Sequence, residues 1–140
     1  MAEVFDVIVI GGGASGLMSA GRAGELGKKV LLLEKNKQLG EKLKITGGGR
    51  CNITNAEEDL RVFLGNYGEA EQFLYSAFAQ FGVKDTFNFF ESRGLPLVVQ
   101  ARKRAFPNTE KAIDVFKVME KYLRSNGVTI KTASPVSKII

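Results

Sequence analysis

The chain has 140 residues, of which 44% belong to the AVILMFWYC set, and a net charge of +5; that is apolar enough to pack a core and too apolar for intrinsic disorder. One cysteine and no histidine exclude an intramolecular disulfide framework, His-containing zinc sites, serine–histidine triads and imidazole general bases. Charge alternates in blocks, acidic to residue 27, basic over 28–50, acidic over 51–100 and basic over 101–140, which favours local anion sites over a general nucleic-acid surface.

The opening MAEVFDVIVIGGG carries acids where a signal peptide needs bases, and its apolar run stops at Gly11. It predicts neither a signal peptide nor a membrane span, hence a soluble cytoplasmic protein. Phe5 to Ile10 reads as a buried strand of a parallel sheet. Gly11–Gly13 break it, and Ala14 to Leu26 predicts a helix with Gly16, Ala20, Ala23 and Gly24 suited to close packing on the sheet. Gly27 stops that helix. Val30 to Leu33 is a second buried strand ending on Glu34, so residues 5–34 form one βαβ unit.

Residues 36–56 are basic, then rich in glycine, then polar, and read as loop. The segment 57–107 reads as an inserted, mainly helical stretch. Ala70, Phe73, Leu74, Ala77, Phe78 and Phe81 predict an amphipathic helix over 69–81, and Val83, Phe87 and Phe90 another that ends near Gly94. Leu97 to Phe106 reads as a hairpin with Arg102, Lys103 and Arg104 near a solvated tip. A helix from Thr109 to Asn126, closed by Gly127, and a strand Val128 to Thr132 follow as a helix–strand return over 109–140, with Val136 to Ile140 opening a further strand. Most phenylalanines fall between Phe63 and Phe106, and their spacing makes them ordinary core. The fold class is α/β.

Gly11-Gly12-Gly13-Ala14-Ser15-Gly16 fits G-x-G-x-x-G in the context that gives this pattern meaning: strand before, helix after, acidic residue beyond. The first glycine permits the tight turn, the second lets backbone approach a pyrophosphate, and the third lets helix and strand pack. The helix N-terminus offers free N–H groups and a partial positive charge. Glu34 would accept from a ribose hydroxyl and oppose a 2′-phosphate. No Walker frame exists, so the turn is read as a dinucleotide site.

A second motif, Gly47-Gly48-Gly49-Arg50-Cys51-Asn52, makes a backbone able to lie against a flat or anionic ligand, with Arg50 able to pair a phosphate. Lys35, Lys42 and Lys44 lie between the two motifs. A ligand with a second ring system, such as FAD, would use this excursion, whereas NAD alone would not need it. Cys51 reads as a packing residue rather than a redox thiol, and Asn52 as fixing the loop through side-chain to backbone hydrogen bonds.

The runs VIVIGGGASGLMSA, LLLEK, KLKITGGGRCNITN and AFPNTEKAIDVF before NGVTIKT together resemble a bacterial family of NAD(P)/FAD-dependent oxidoreductases with aminoacetone-oxidase-like and bile-acid-reductase-like members. The G-G-G-R-C-N-x-T-N run is the most specific of them. The resemblance covers essentially the whole chain, but only roughly the N-terminal third of a family member. It implies a partial Rossmann-type FAD-binding domain with a parallel sheet, helices and an inserted mainly helical segment, without the family's substrate domain.

By position, the resemblance implies that Gly11, Gly13, Ala14, Ser15 and Gly16 hold the FAD pyrophosphate, and Glu34 the adenosine ribose with Lys35 beside it. Lys42, Thr46, Gly47, Gly48 and Arg50, with Cys51 and Asn52 next to them, would serve the pyrophosphate and flavin side, and the Val136 backbone the adenine. Expected partners are a small-molecule substrate and NAD(P)H as a candidate electron donor, with no nucleic acid, membrane or metal. Self-association through an exposed sheet edge is also expected. No catalytic acid or base is named. The competing readings are an inactive dinucleotide-binding fragment and an NAD-binding dehydrogenase domain.

Overall fold

A computed structural model describes residues 3–140. In chain order its elements are β1 (Val7–Ile10), α1 (Ala14–Glu25), β2 (Val30–Leu33), α2 (Glu41–Gly49), β3 (Thr54–Asn55), α3 (Leu60–Gly65), α4 (Glu71–Gln80), α5 (Val83–Glu91), β4 (Leu97–Gln100), β5 (Arg104–Pro107), α6 (Ala112–Ser125) and β6 (Thr129–Lys131). The chain divides into two compact units, one formed by residues up to Ile45 with Phe116–Ile140, the other by Thr46–Val115.

The first unit is built on a parallel sheet of order β1-β2-β6, with Val7 opposite Val30 and Leu31 opposite Thr129. Its middle strand is apolar throughout, and Val30, Leu31 and Leu32 are buried, as a strand covered on both faces requires. Parallel neighbours need a crossover, and α1 supplies it. At the end of α1 the Gly27 N–H bonds to the Gly24 carbonyl and the Lys28 N–H to that of Ala23, the two bonds of a Schellman stop.

The small residues of α1 serve two surfaces rather than the sheet alone. A Cβ on Gly16 would strike the Gly11 carbonyl beside β1, whereas one on Gly21 would strike the Tyr122 ring of α6, and one on Gly24 would lie 2.7 Å from the Asn126 carbonyl oxygen. Tyr122 also donates to Glu25 at 2.7 Å.

Among the described residues β1 pairs with β2 alone. The Val7 N–H bonds to the Lys29 carbonyl and the Gly11 N–H to the Leu33 carbonyl, so by alternation Ile8 and Ile10 turn their N–H groups to the open edge. Their side chains are more than half exposed. The strand expected over Val136–Ile140 does not form, and residues 132–140 contain no strand. Instead the Ala133 and Ser134 N–H groups bond back to the carbonyls of Asn36 and Glu34, and Pro135 has no N–H to extend a ladder.

The second unit carries an antiparallel sheet of order β3-β5-β4, with Val98 opposite Phe106 and Thr54 opposite Ala105. The expected hairpin is therefore present, and its tip holds Arg102 and Lys103 in the left-handed region. Phe63, Leu64, Phe89, Phe90, Leu95, Ala105 and Phe106 are buried in this unit. The helix expected over 69–81 forms as α4, but none of its residues is buried and Phe73 is 85% exposed, so helical spacing overstated how much of this stripe is core. Residues 36–56 are also not all loop. They contain α2, whose helical course breaks at Thr46–Gly48, and β3.

Candidate functional site

In the first unit, Gly11 leaves β1 with φ +100°, a conformation that costs a side-chain-bearing residue dearly. Gly13 is the residue before the first turn of α1, and no side chain caps that turn or supplies an acid to it. Gly13, Ala14 and Ser15 are exposed, so the helix start presents free N–H donors and the positive end of its dipole to whatever lies above. A Cβ on Gly13 would meet nothing within 4 Å: the space above the turn is open, as backbone approach by a ligand requires.

Behind the turn the packing is tight. A Cβ on Gly12 would collide with Leu39 and come within 3.1 Å of a Glu34 carboxylate oxygen. The Gly40 N–H bonds to the Gly12 carbonyl at 2.8 Å. Glu34 is buried and faces the turn itself. Its Oε2 accepts from the Gly12 N–H at 2.6 Å and its Oε1 from the Asn36 N–H at 2.8 Å. The Asn36 N–H, with help from that of Gly12, holds the carboxyl below the usual carboxylate range against the opposing effect of burial. A carboxylate has about four lone-pair sites, and these two backbone donors take one on each oxygen.

Around this turn, Lys35 and Lys42 are exposed, while the Lys44 ammonium lies 3.9 Å from the centre of the Phe116 ring. Val136 is 38% exposed, beyond the end of β6. Leu39 and Gly40 hold the turn from behind and Asn36 holds its acid; none of the three was expected. The signal for them was the acid itself, since a carboxylate this close to a glycine turn needs donors.

In the second unit, the second glycine motif follows the break in α2. Gly47 has φ +57°, and a Cβ there would lie 2.8 Å from the Asn52 nitrogen, so only glycine fits. Gly48 and Gly49 face open space. Arg50 stacks its guanidinium 4.6 Å from the Phe106 ring centre. It donates from Nε to the Gly47 carbonyl at 3.3 Å, and from Nη1 to Gln100 and Glu110 at 3.4 Å each. Gln100 and Glu110 were not expected.

Cys51 is buried and burial pushes its thiol up, opposed by a hydrogen bond with Thr46. That is the packing role expected of it. Among the described residues the Asn52 side chain makes none of the expected loop bonds; Asn55 makes such bonds, donating to the Arg102 carbonyl and accepting from the Glu57 N–H. At the hairpin tip Lys103 is paired with Glu57. Among the described residues no group of His, Cys, Asp or Glu could hold a metal ion, and no helix is long and apolar enough to cross a membrane.

A parallel sheet, a glycine turn at a strand's carboxyl end, an uncapped helix start and an acid closing the second strand define a Rossmann-type dinucleotide-binding domain. The chain matches the HI0933-like protein Rossmann domain over residues 5–140 and belongs to that family. It is 34% identical over 133 residues to the 3-dehydro-bile acid delta(4,6)-reductase of Clostridium scindens, covering 94% of this chain and 32% of that protein. It is 28% identical over 139 residues to the ribosomal RNA dihydrouridine synthase of Haemophilus influenzae, covering 99% and 34%. The open conformation of a flavocytochrome c3 fumarate reductase superposes with a TM-score of 0.71 at 20% identity, over 99% of this chain and 28% of the other, which establishes the fold. The chain thus spans about a third of the length of these curated relatives.

Proposed function

We propose that this chain is the FAD-binding part of an oxidoreductase acting on a small organic molecule, with NAD(P)H as electron donor. The observation that carries the reading is the uncapped start of α1 above a glycine turn whose Gly13 faces open space, a cradle for a pyrophosphate. Gly11 and Gly16 shape that turn, and the N–H groups of Gly13, Ala14 and Ser15 would bind the phosphate oxygens. Glu34 would offer its remaining lone pairs to the adenosine ribose, with Lys35 and Lys42 supplying positive charge and the Val136 backbone reading the adenine. For Thr46, Gly47, Gly48, Arg50, Cys51 and Asn52, the role in cofactor binding rests on that loop's own chemistry: an open glycine backbone and a guanidinium placed over an aromatic ring.

When bound, FAD would supply hydride and electron transfer, while the protein supplies binding and orientation. A nucleic-acid partner is not part of this reading, since no base-reading motif accompanies the basic hairpin tip. A cytoplasmic location suits an enzyme with a single buried thiol and a nicotinamide donor. Association through the open edge of β1 is the partner expected for the isolated chain.

The test is the visible absorption spectrum of the purified protein, before and after addition of FAD and desalting. A retained flavin band is the expected result. Nicotinamide binding without flavin would replace this reading with an NAD-binding domain, and no nucleotide binding at all would leave a dinucleotide fold without the activity.

A further inference from the structure

Arg50 is held in a way that its own stability cannot explain. Its ion pair with Glu110 spans 3.4 Å between side chains that are both more than 40% exposed, and such pairs contribute next to nothing to folding. Yet the partner is itself fixed. Gln100 donates to the same Glu110 oxygen at 2.6 Å, and its own amide oxygen accepts from the Arg50 Nη1. Glu110 sits at φ +52°, with its N–H closed on the Pro107 carbonyl at 2.8 Å. A carboxylate-bearing residue kept in the left-handed region at a turn is a local cost that other contacts must offset.

Phe106 supports the guanidinium from one face, and the Gly47 carbonyl takes Nε. Nη2 has no hydrogen-bond partner among the described residues. The fork is therefore fixed along one edge and free on the other.

We propose that Gln100 and Glu110 are positioning residues that orient the Arg50 guanidinium on Phe106 with Nη2 free for an acceptor oxygen of the cofactor. The proposal rests on the reading of Arg50 as a cofactor-binding residue. Immobilising a long side chain before binding removes an entropy cost that the ligand would otherwise meet. Glu110 acts here through its acceptor oxygen rather than its charge, so glutamine should replace it.

The test uses the full chain and two readouts. Arg50 Nε–H is followed by nitrogen-15 NMR, assigned through Arg50→Lys, for its shift and exchange rate. FAD affinity is followed by quenching of flavin fluorescence. Expected are a slowly exchanging Arg50 signal in the parent, its move toward the free-arginine position in Glu110→Ala and Gln100→Ala, and its retention in Glu110→Gln. FAD should bind about three- to tenfold more weakly to Glu110→Ala and tens of fold more weakly to Arg50→Met, roughly the loss of a charged hydrogen bond. Glu110→Ala should add nothing in the Arg50→Met background.

An Arg50 signal unmoved by Glu110→Ala, or a Glu110→Gln variant that behaves like Glu110→Ala, overturns the positioning role. So does unchanged FAD affinity in Glu110→Ala where Arg50→Met weakens it. If the parent binds FAD and Arg50→Met binds it equally well, Arg50 is no cofactor residue and the inference goes with it. If the parent binds no FAD, the proposed function has failed, and the toward-cofactor part falls with it, while the NMR signal still decides whether the two residues orient Arg50.

Discussion

Replacing Glu34 with alanine removes the one side chain that satisfies both the Gly12 and the Asn36 N–H groups. The Gly12 donor is buried and would be left without water or partner, whereas that of Asn36 is half-buried and can recover water in part. Hydrogen bonds to a charged acceptor are worth about 1.5–3 kcal/mol each. With the second partly recovered, the loss should be about 2–4 kcal/mol, a large share of the roughly 5–15 kcal/mol of a typical domain. Glu34→Gln keeps one acceptor but turns an NH₂ toward the other donor, so it should cost about 1–3 kcal/mol. Urea unfolding followed by circular dichroism measures both. The carboxyl titrates below its ordinary value in the folded state, so its stabilisation is complete above the unfolded value of about 4.3 and is lost as pH falls through the folded one. The gap between the parent and Glu34→Gln should thus be constant near neutrality and close in acid. A stability for Glu34→Ala within about 0.5 kcal/mol of the parent, the range of ordinary surface changes, would mean that the carboxylate serves only a ligand and that the clamp is illusory.

The glycines of the first motif should separate by readout. Gly16→Ala drives a Cβ into the Gly11 backbone and should destabilise by more than about 2 kcal/mol, whereas Gly13→Ala, at an ordinary φ of −82° with open space, should leave the melting temperature nearly unchanged and weaken FAD binding. Cys51 should react with a disulfide reagent at neutral pH far more slowly than after unfolding in urea, because burial disfavours its thiolate; equal rates would refute its burial. Ile8→Lys with Ile10→Lys should convert any self-associated species to monomer in sedimentation velocity, since these residues line the open edge of β1; an unchanged distribution would move the interface elsewhere.

The βαβ unit was legible because its signals are local: a β-branched strand, small helix residues, and glycines where only glycine fits. Glu34 was found by its distance from the turn, but the direction it faces was not. That direction depends on the Asn36 and Gly12 backbones, which carry no side-chain signature. The five residues EKLKI that begin α2 were hidden by a lysine-rich composition and the glycines that end the helix. Phe73 was misplaced because spacing reports one face of a helix without saying what covers it. Gln100 and Glu110 lie 50 and 60 positions from Arg50, and nothing in their own surroundings marks them. The segment after β6 looked like a strand by composition, yet the bonds from Ala133 and Ser134 to the end of β2 and the proline after them set its course.

The bonds around Glu34 also bear on the order in which the chain can reach its final shape. Its side chain reaches back 22 residues to Gly12, while its backbone bonds forward to Lys131 and Ser134. On the ribosome the glycine turn and its acid emerge early, but the strand that closes over the end of β2 is synthesised only after the whole of Thr46–Val115. The nascent turn therefore waits with one side of β2 unpaired until β6 has been made. Its final geometry arrives with residues 131–134 rather than with its own, and a ribosome stalled before residue 131 would carry the glycine motif without the latch that shapes it.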